Sequence, residues 1–209
     1  MKKQKLLFVC HGNICRSTMA EFVMKDLVQK AGLADVFTID SAACRRDEIG
    51  SDTHWGTKQK LREMGVPFTP RHARQITSAD YAKYDWIIAM DGENMRDLQR
   101  LTHGDPAHKT ALLLDFAGEH REVADPWYTG NFDATYDDVL KGCRALLSPL
   151  RNQRDKTKKP SREEPLSGRL FARCDWPAGQ LRINNSRREP RRSSADERRP
   201  GRSPALSCR

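Results

Sequence analysis

Hydrophobic positions in this chain come as short runs set between longer amphipathic stretches. "KLLFV" (5–9) is apolar without alternation, the pattern of a strand buried on both faces of a parallel sheet. A polar loop follows, and then Ala20, Val23, Leu27 and Ala31 recur at helical spacing with Met24 and Val28 alongside and Gly32 as a stop. Thr18 and Glu21 stand at capping-box spacing, which would start that helix just after the loop. "VFTID" (36–40) is a second strand candidate, and a helix is predicted over 53–64, ending before "MGVPF". "DWIIAM" (85–90) reads as a third strand leading into a helix from Asp91 to Leu101. "TALLLDF" (110–116) reads as the fourth strand, and a last helix is predicted from Phe132 to Leu147.

Strands alternating with helices predict an α/β domain, an open four-stranded parallel sheet flanked by helices in the flavodoxin-like manner. Such sheets bind ligands beyond the carboxyl ends of their strands, where the strand order reverses. The loop after the first strand stands where that rule expects a site.

Charge divides the chain in two. The net charge is +9, yet residues 1–150 carry 20 Lys+Arg against 21 Asp+Glu, and residues 151–209 carry 17 against 7. The expectation is one nearly neutral domain over 1–150 and an Arg/Ser/Pro-rich tail over 151–209. That tail has too little apolar surface to offset its ordering entropy and is expected to be disordered. A basic tail could bind nucleic acid through counterion release. This one contains no binding fold and little aromatic interleaving, so a nucleic-acid partner is not expected. Six cysteines, at 10, 15, 44, 143, 174 and 208, show no C-x2-C pairing and no histidines at zinc spacing, so neither a disulfide scaffold nor a metal is expected. The five-residue apolar run near the start is too short for a signal peptide, and nothing approaches the ~18 apolar residues of a membrane span. A cytoplasmic protein with reduced thiols is expected, with no membrane partner.

"FVCHGNICRST" (8–18) carries the chemistry. A phosphate dianion needs inward-pointing backbone N–H groups, the positive end of a helix dipole and a guanidinium fork. Gly12 and Asn13 tolerate the left-handed backbone that curls amides toward one point, and Arg16 can reach back across it. The same positive setting favours a thiolate at Cys10, at the base of the loop, and Ser17 can donate its hydroxyl hydrogen to that sulfur. Cys15 reads either as a packed residue or as a partner for oxidised Cys10. As a zinc pair, Cys10 and Cys15 would lack two further ligands nearby.

"VCHGNICRS", with "DSAA" (40–43), "ARQIT" (73–77), "MD" (90–91) and "DPW" (125–127), resembles the low-molecular-weight protein tyrosine phosphatases over about residues 4–147. The resemblance implies hydrolysis of phosphotyrosine in protein substrates, without metal or other cofactor, through a phosphocysteine on Cys10. Arg16 would clamp the phosphoryl oxygens, and Asp125 would be the general acid and then the base. His11, Gly12, Asn13, Ile14, Cys15 and Ser17 would form the substrate cradle, and Trp127 a wall of the cleft. The resemblance favours Cys15 as a redox partner of Cys10. It also places Asp91 near the loop, paired with Arg71 or His72. Thr18 stands where many members have Pro, "CRRDEIG" (44–50) lacks an aromatic often found on the second wall, and the tail has no counterpart. Two enzymes of the same fold are rivals. Arsenate reductases need further cysteines to shuttle a disulfide, and between Cys44 and Cys143 this chain has none; arginine phosphatases typically carry Thr where Ile14 stands.

Overall fold

The computed structural model describes residues 3–158, with side chains as far as Ser148. Its elements are β1 (Gln4–Cys10), α1 (Arg16–Lys30), β2 (Phe37–Ala43), α2 (Trp55–Glu63), α3 (Ser78–Lys83), β3 (Trp86–Ala89), α4 (Gly92–Leu101), β4 (Thr110–Leu112), α5 (Pro126–Thr129) and α6 (Phe132–Lys158). The four strands form one parallel sheet in the order β2-β1-β3-β4. Chain order reverses between β1 and β3, so the loops after these two strands flank the switch point.

β1 lies in the middle of the sheet, and Leu6 to Val9 are all essentially inaccessible. This accounts for its unbroken apolar run, since both faces must be apolar when both are covered. Leu7 and Val9 pack with Ile87, Ala89, Ala42, Ile76, Tyr84 and Leu98 on one face. Leu6 and Phe8 point to the other, as strand alternation requires. α1 is buried along its whole first half, Arg16 to Met24, and packs against α6. It stops at Gly32, where the amide of Leu33 reaches back to the Val28 carbonyl, 2.7 Å.

Three expectations need correction, and one element was not anticipated. The proposed capping box is absent: α1 begins at Arg16, and its N-cap, Cys15, makes no side-chain cap. Thr18 lies inside the helix and its hydroxyl donates to the carbonyls of Ile14 and Cys15, while Glu21 turns into the interior. The fourth strand is only Thr110–Leu112. Leu113–Ala117 is a 3₁₀ turn whose consecutive buried leucines an extended strand would send to opposite faces. The last helix does not end at Leu147 but continues through Pro149 to Lys158. Residues 151–158, assigned from charge to the disordered tail, extend α6; five of the eight are the good helix formers Arg, Gln and Lys. The rest of that tail, with Cys174 and Cys208, lies outside the described residues. The unanticipated element is α3. Thr77 and Asp80 form its capping box, with Thr77 N donating to the Asp80 carboxylate at 2.9 Å.

Candidate active site

The loop between β1 and α1 turns at Asn13, whose φ is +60°. That left-handed conformation is costly for most residues and more tolerable for asparagine. The side chain is buried, and all four of its hydrogen-bonding positions are filled. Nδ2 donates to Ser17 Oγ (2.9 Å) and Ser41 Oγ (2.8 Å); Oδ1 accepts from Arg71 Nη2 (2.8 Å) and the Arg74 amide (3.4 Å). Ser41 accepts from Arg71 Nη1 as well and passes its own proton to Glu21 Oε2, 2.6 Å away. Glu21 also pairs with Arg71 at 3.2 Å. Because Ser17 Oγ accepts from Asn13, its own hydrogen is left for the Cys10 sulfur at 3.1 Å. A continuous chain of polar groups therefore runs from Glu21 to the sulfur, and it orients Ser17 as a donor.

Above the sulfur, the amides of residues 11–15 donate to no carbonyl or side chain among the described residues. The carbonyls of this loop are instead tied back: Cys44 N to Cys10 O (2.8 Å), Arg45 N to His11 O (3.0 Å) and His54 N to Ile14 O (2.9 Å). Fixing the carbonyls outward leaves the N–H groups inward at the start of α1, where the helix dipole adds positive potential.

Arg16 closes the ring. Its guanidinium is buried and forks between two carboxylates, Nη1 to Asp91 Oδ2 at 2.6 Å and Nη2 to Asp125 Oδ2 at 2.5 Å. Burial opposes its charge, but Cys10, Asp125 and Asp91 outweigh that and push its pKa above the usual value. Asp91, just after β3, also caps α4 through the Asn94 amide at 2.7 Å. The expected pairing of Asp91 with Arg71 or His72 is thus replaced: Arg71 supports Asn13 and Ser41, and His72 bonds the Gly50 carbonyl. The switch-point geometry explains this, because the ends of β1 and β3 are neighbours.

Asp125 caps α5, its Oδ1 accepting from Trp127 N at 3.0 Å. Cys10, His11, Gly12, Ile14, Cys15, Arg16, Asp125 and Trp127 line one cavity of about 520 Å³. Asn13 and Ser17 stand behind it, fully buried. Trp127 is 57% exposed and forms one wall, with Tyr128 beside it. His11 is half-buried and bonded to Asp47 at 2.7 Å. In the 44–50 segment, Asp47 and Glu48 face the cavity, whereas Arg45 turns to Asp97 and Arg46 to Gln75. Cys15 is buried, and burial, then Cys10 and then Asp125, push its thiol up to about 12. Sequence reasoning missed the roles of Ser41, Glu21 and His54, and it named Arg71 with the wrong partner. Glu21 was visible only as a cap, and the others are brought to the loop from 28 to 58 residues away.

Fold and site together define an α/β protein whose anion cradle, at the end of its central strand, is built around a cysteine. The family model for low molecular weight phosphotyrosine protein phosphatase matches residues 5–157. The low molecular weight protein-tyrosine-phosphatase YfkJ of Bacillus subtilis is 38% identical over 151 residues, 71% of this chain and 97% of that protein. The crystal structure of YfkJ superposes with a TM-score of 0.70 at 37% identity, covering 73% of this chain and 98% of that one. The crystal structure of DARP, the drosophila arginine phosphatase, gives a TM-score of 0.65 at 31% identity, over 70% and 98% of the two chains. The chain belongs to the low molecular weight phosphotyrosine protein phosphatase family.

Proposed function

We propose that this protein hydrolyses phosphotyrosine in protein substrates, and small aryl phosphates, through a phosphocysteine on Cys10. The observation that carries the reading is the sulfur at the base of a ring of uncommitted amides, with Arg16 and Asp125 facing each other above it. A phosphate dianion would sit on those amides and on Nη2 of Arg16, taking the place of the Asp125 carboxylate oxygen now there. The Cys10 thiolate attacks phosphorus as the P–O bond to the phenol breaks, and Asp125 gives the leaving oxygen its proton. In the second step Asp125 takes a proton from water, whose oxygen attacks phosphorus while the sulfur leaves, eased by the Ser17 hydroxyl.

Ile14 lines the cavity with a branched apolar side chain, which suits an aryl ring better than a phosphoguanidinium. The arsenate-reductase reading needs a relay of reactive thiols. Between Cys44 and Cys143 the chain has no cysteine to supply one. We assign Cys15 as the trap for oxidised Cys10: a peroxide-generated sulfenic acid on Cys10 and the Cys15 thiol would condense to a disulfide and water. All four described cysteines are free and no described helix is long and apolar enough to cross a membrane, which accords with our placing the enzyme in the cytoplasm.

The test is turnover on phosphotyrosine and phosphoarginine peptides side by side, with Cys10→Ser as control. Phosphotyrosine should be strongly preferred, and Cys10→Ser should fold and be inactive. Full activity in that variant ends the mechanism, and a preference for phosphoarginine ends the substrate assignment.

A further inference from the structure

The turn that carries Asp125 runs from α5 to the start of α6, and aromatic side chains at its two ends meet the same imidazole. Trp127 sets its ring edge-on to His54, with centroids 6.1 Å apart and planes at 70°. Phe132 lies flat on that ring, 5.4 Å away and within 7° of parallel. His54 is in turn tied to the phosphate loop, its amide donating to the Ile14 carbonyl at 2.9 Å. Gly56 makes the stack possible, since a Cβ there would stand 2.4 Å from the Phe132 ring. Trp127 is more than half exposed, and among the described residues its ring meets that of His54. The Trp127 amide also donates to Asp125 Oδ1 at 3.0 Å, while Arg16 holds Oδ2.

We propose that His54 is a positioning residue for Asp125, its ring fixing both ends of the 125–131 turn relative to the phosphate loop. This rests on Asp125 being the general acid. The neutral imidazole suits the role. Nδ1 accepts from the Gly56 amide at 3.2 Å, which puts the ring proton on Nε2, and burial, opposed by Glu48, holds the pKa below the usual histidine value. Nothing in this arrangement places His54 on the substrate. It acts through the angle at which Asp125 meets the leaving oxygen, and proton transfer is sensitive to that angle.

His54 also caps α2, and a purely structural role would lie in that cap, so two variants separate ring from cap. His54→Asn keeps an acceptor at the N-cap and removes the ring; His54→Phe keeps a ring and removes the acceptor. The readout is the dependence of kcat/KM on leaving-group acidity, from 4-nitrophenyl phosphate to phenyl phosphate, together with competitive inhibition by inorganic phosphate. His54→Asn should steepen that dependence, losing about tenfold or more on phenyl phosphate and only about threefold or less on 4-nitrophenyl phosphate. Inhibition by phosphate should be unchanged, and His54→Phe should behave nearly as the parent. Gly56→Ala, which displaces Phe132, should reproduce the steepening, so the proposal stays testable if one variant folds poorly. Losses in His54→Phe with His54→Asn near the parent assign His54 to the cap, and that result, equal losses in the two variants, or weaker phosphate inhibition in parallel overturns the proposal. Asp125→Asn is the reference. If it is steep while His54→Asn is not, only the positioning role fails; if Asp125→Asn is itself flat, the acid assignment fails.

Discussion

Asn13 combines two demands that few residues meet together. The backbone needs φ near +60°, and the interior needs a group that accepts twice and donates twice. Glycine meets the first demand and no residue other than asparagine or glutamine meets the second, with glutamine a carbon too long for this spacing. Asn13→Gly and Asn13→Ala should therefore separate the two terms. Both leave Arg71 and Ser41 with unmet partners, a cost of about 1–3 kcal/mol. Only alanine adds the left-handed penalty, about 1–2 kcal/mol. Urea unfolding should place Asn13→Ala below Asn13→Gly by that increment, and both should lose kcat because Ser17 is no longer oriented as a donor. Equal midpoints for the two would show that the loop relaxes out of the left-handed conformation. Of this residue-scale design, Cys10, Asn13, Arg16 and Ser17 were legible because loop chemistry is local in sequence. The roles of Ser41 and Glu21 and the partners of Arg71 were not, because pairing across the fold leaves no spacing to read.

At the scale of elements, the sequence pattern located all four strands and the four longer helices, since periodicity and buried apolar runs report burial directly. It failed where a short element depends on its neighbours: α3 needs the Thr77–Asp80 box, and the 113–117 turn needs α6 to cover it. The contact between that turn and α6 is made at Gly142, an unfavourable helix residue placed mid-helix. A Cβ there would stand 2.5 Å from Leu113 Cγ and 3.0 Å from the Leu113 carbonyl oxygen, so the glycine is a packing requirement. Gly142→Ala should gain about 1 kcal/mol of helix propensity and lose about 1–3 kcal/mol to overpacking, since backbone stands in the way. A lowered thermal midpoint is expected, with kcat/KM nearly unchanged because the site lies at the far end of α6. A raised midpoint would mean that the 113–117 turn shifts freely, and that α6 is not what fixes it.

For the whole molecule, every group assigned to the chemistry lies within residues 10–132, drawn from the loop after β1 and the first turn of α1, the end of β3, the N-cap of α2 and the turn before α6. The buried positions on α6 that cover α1 and the 113–117 turn extend to Leu147, and the helix itself to Lys158. The charge step in the sequence, which suggested a boundary after residue 150, therefore falls inside a helix, and we place the boundary of the catalytic domain after Lys158. A protein cut there keeps the entire α6, the sheet and the cradle, and discards most of the excess of arginine. Its kcat/KM on 4-nitrophenyl phosphate and its thermal midpoint should match those of the full chain. A cut after residue 150 removes two helical turns and should lower the midpoint while leaving the cradle able to turn over substrate. The two cuts measured together separate the contributions. If activity disappears on removing residues 159–209, those residues take part in catalysis or in holding the domain, and the division into a self-sufficient enzyme and a basic extension is wrong.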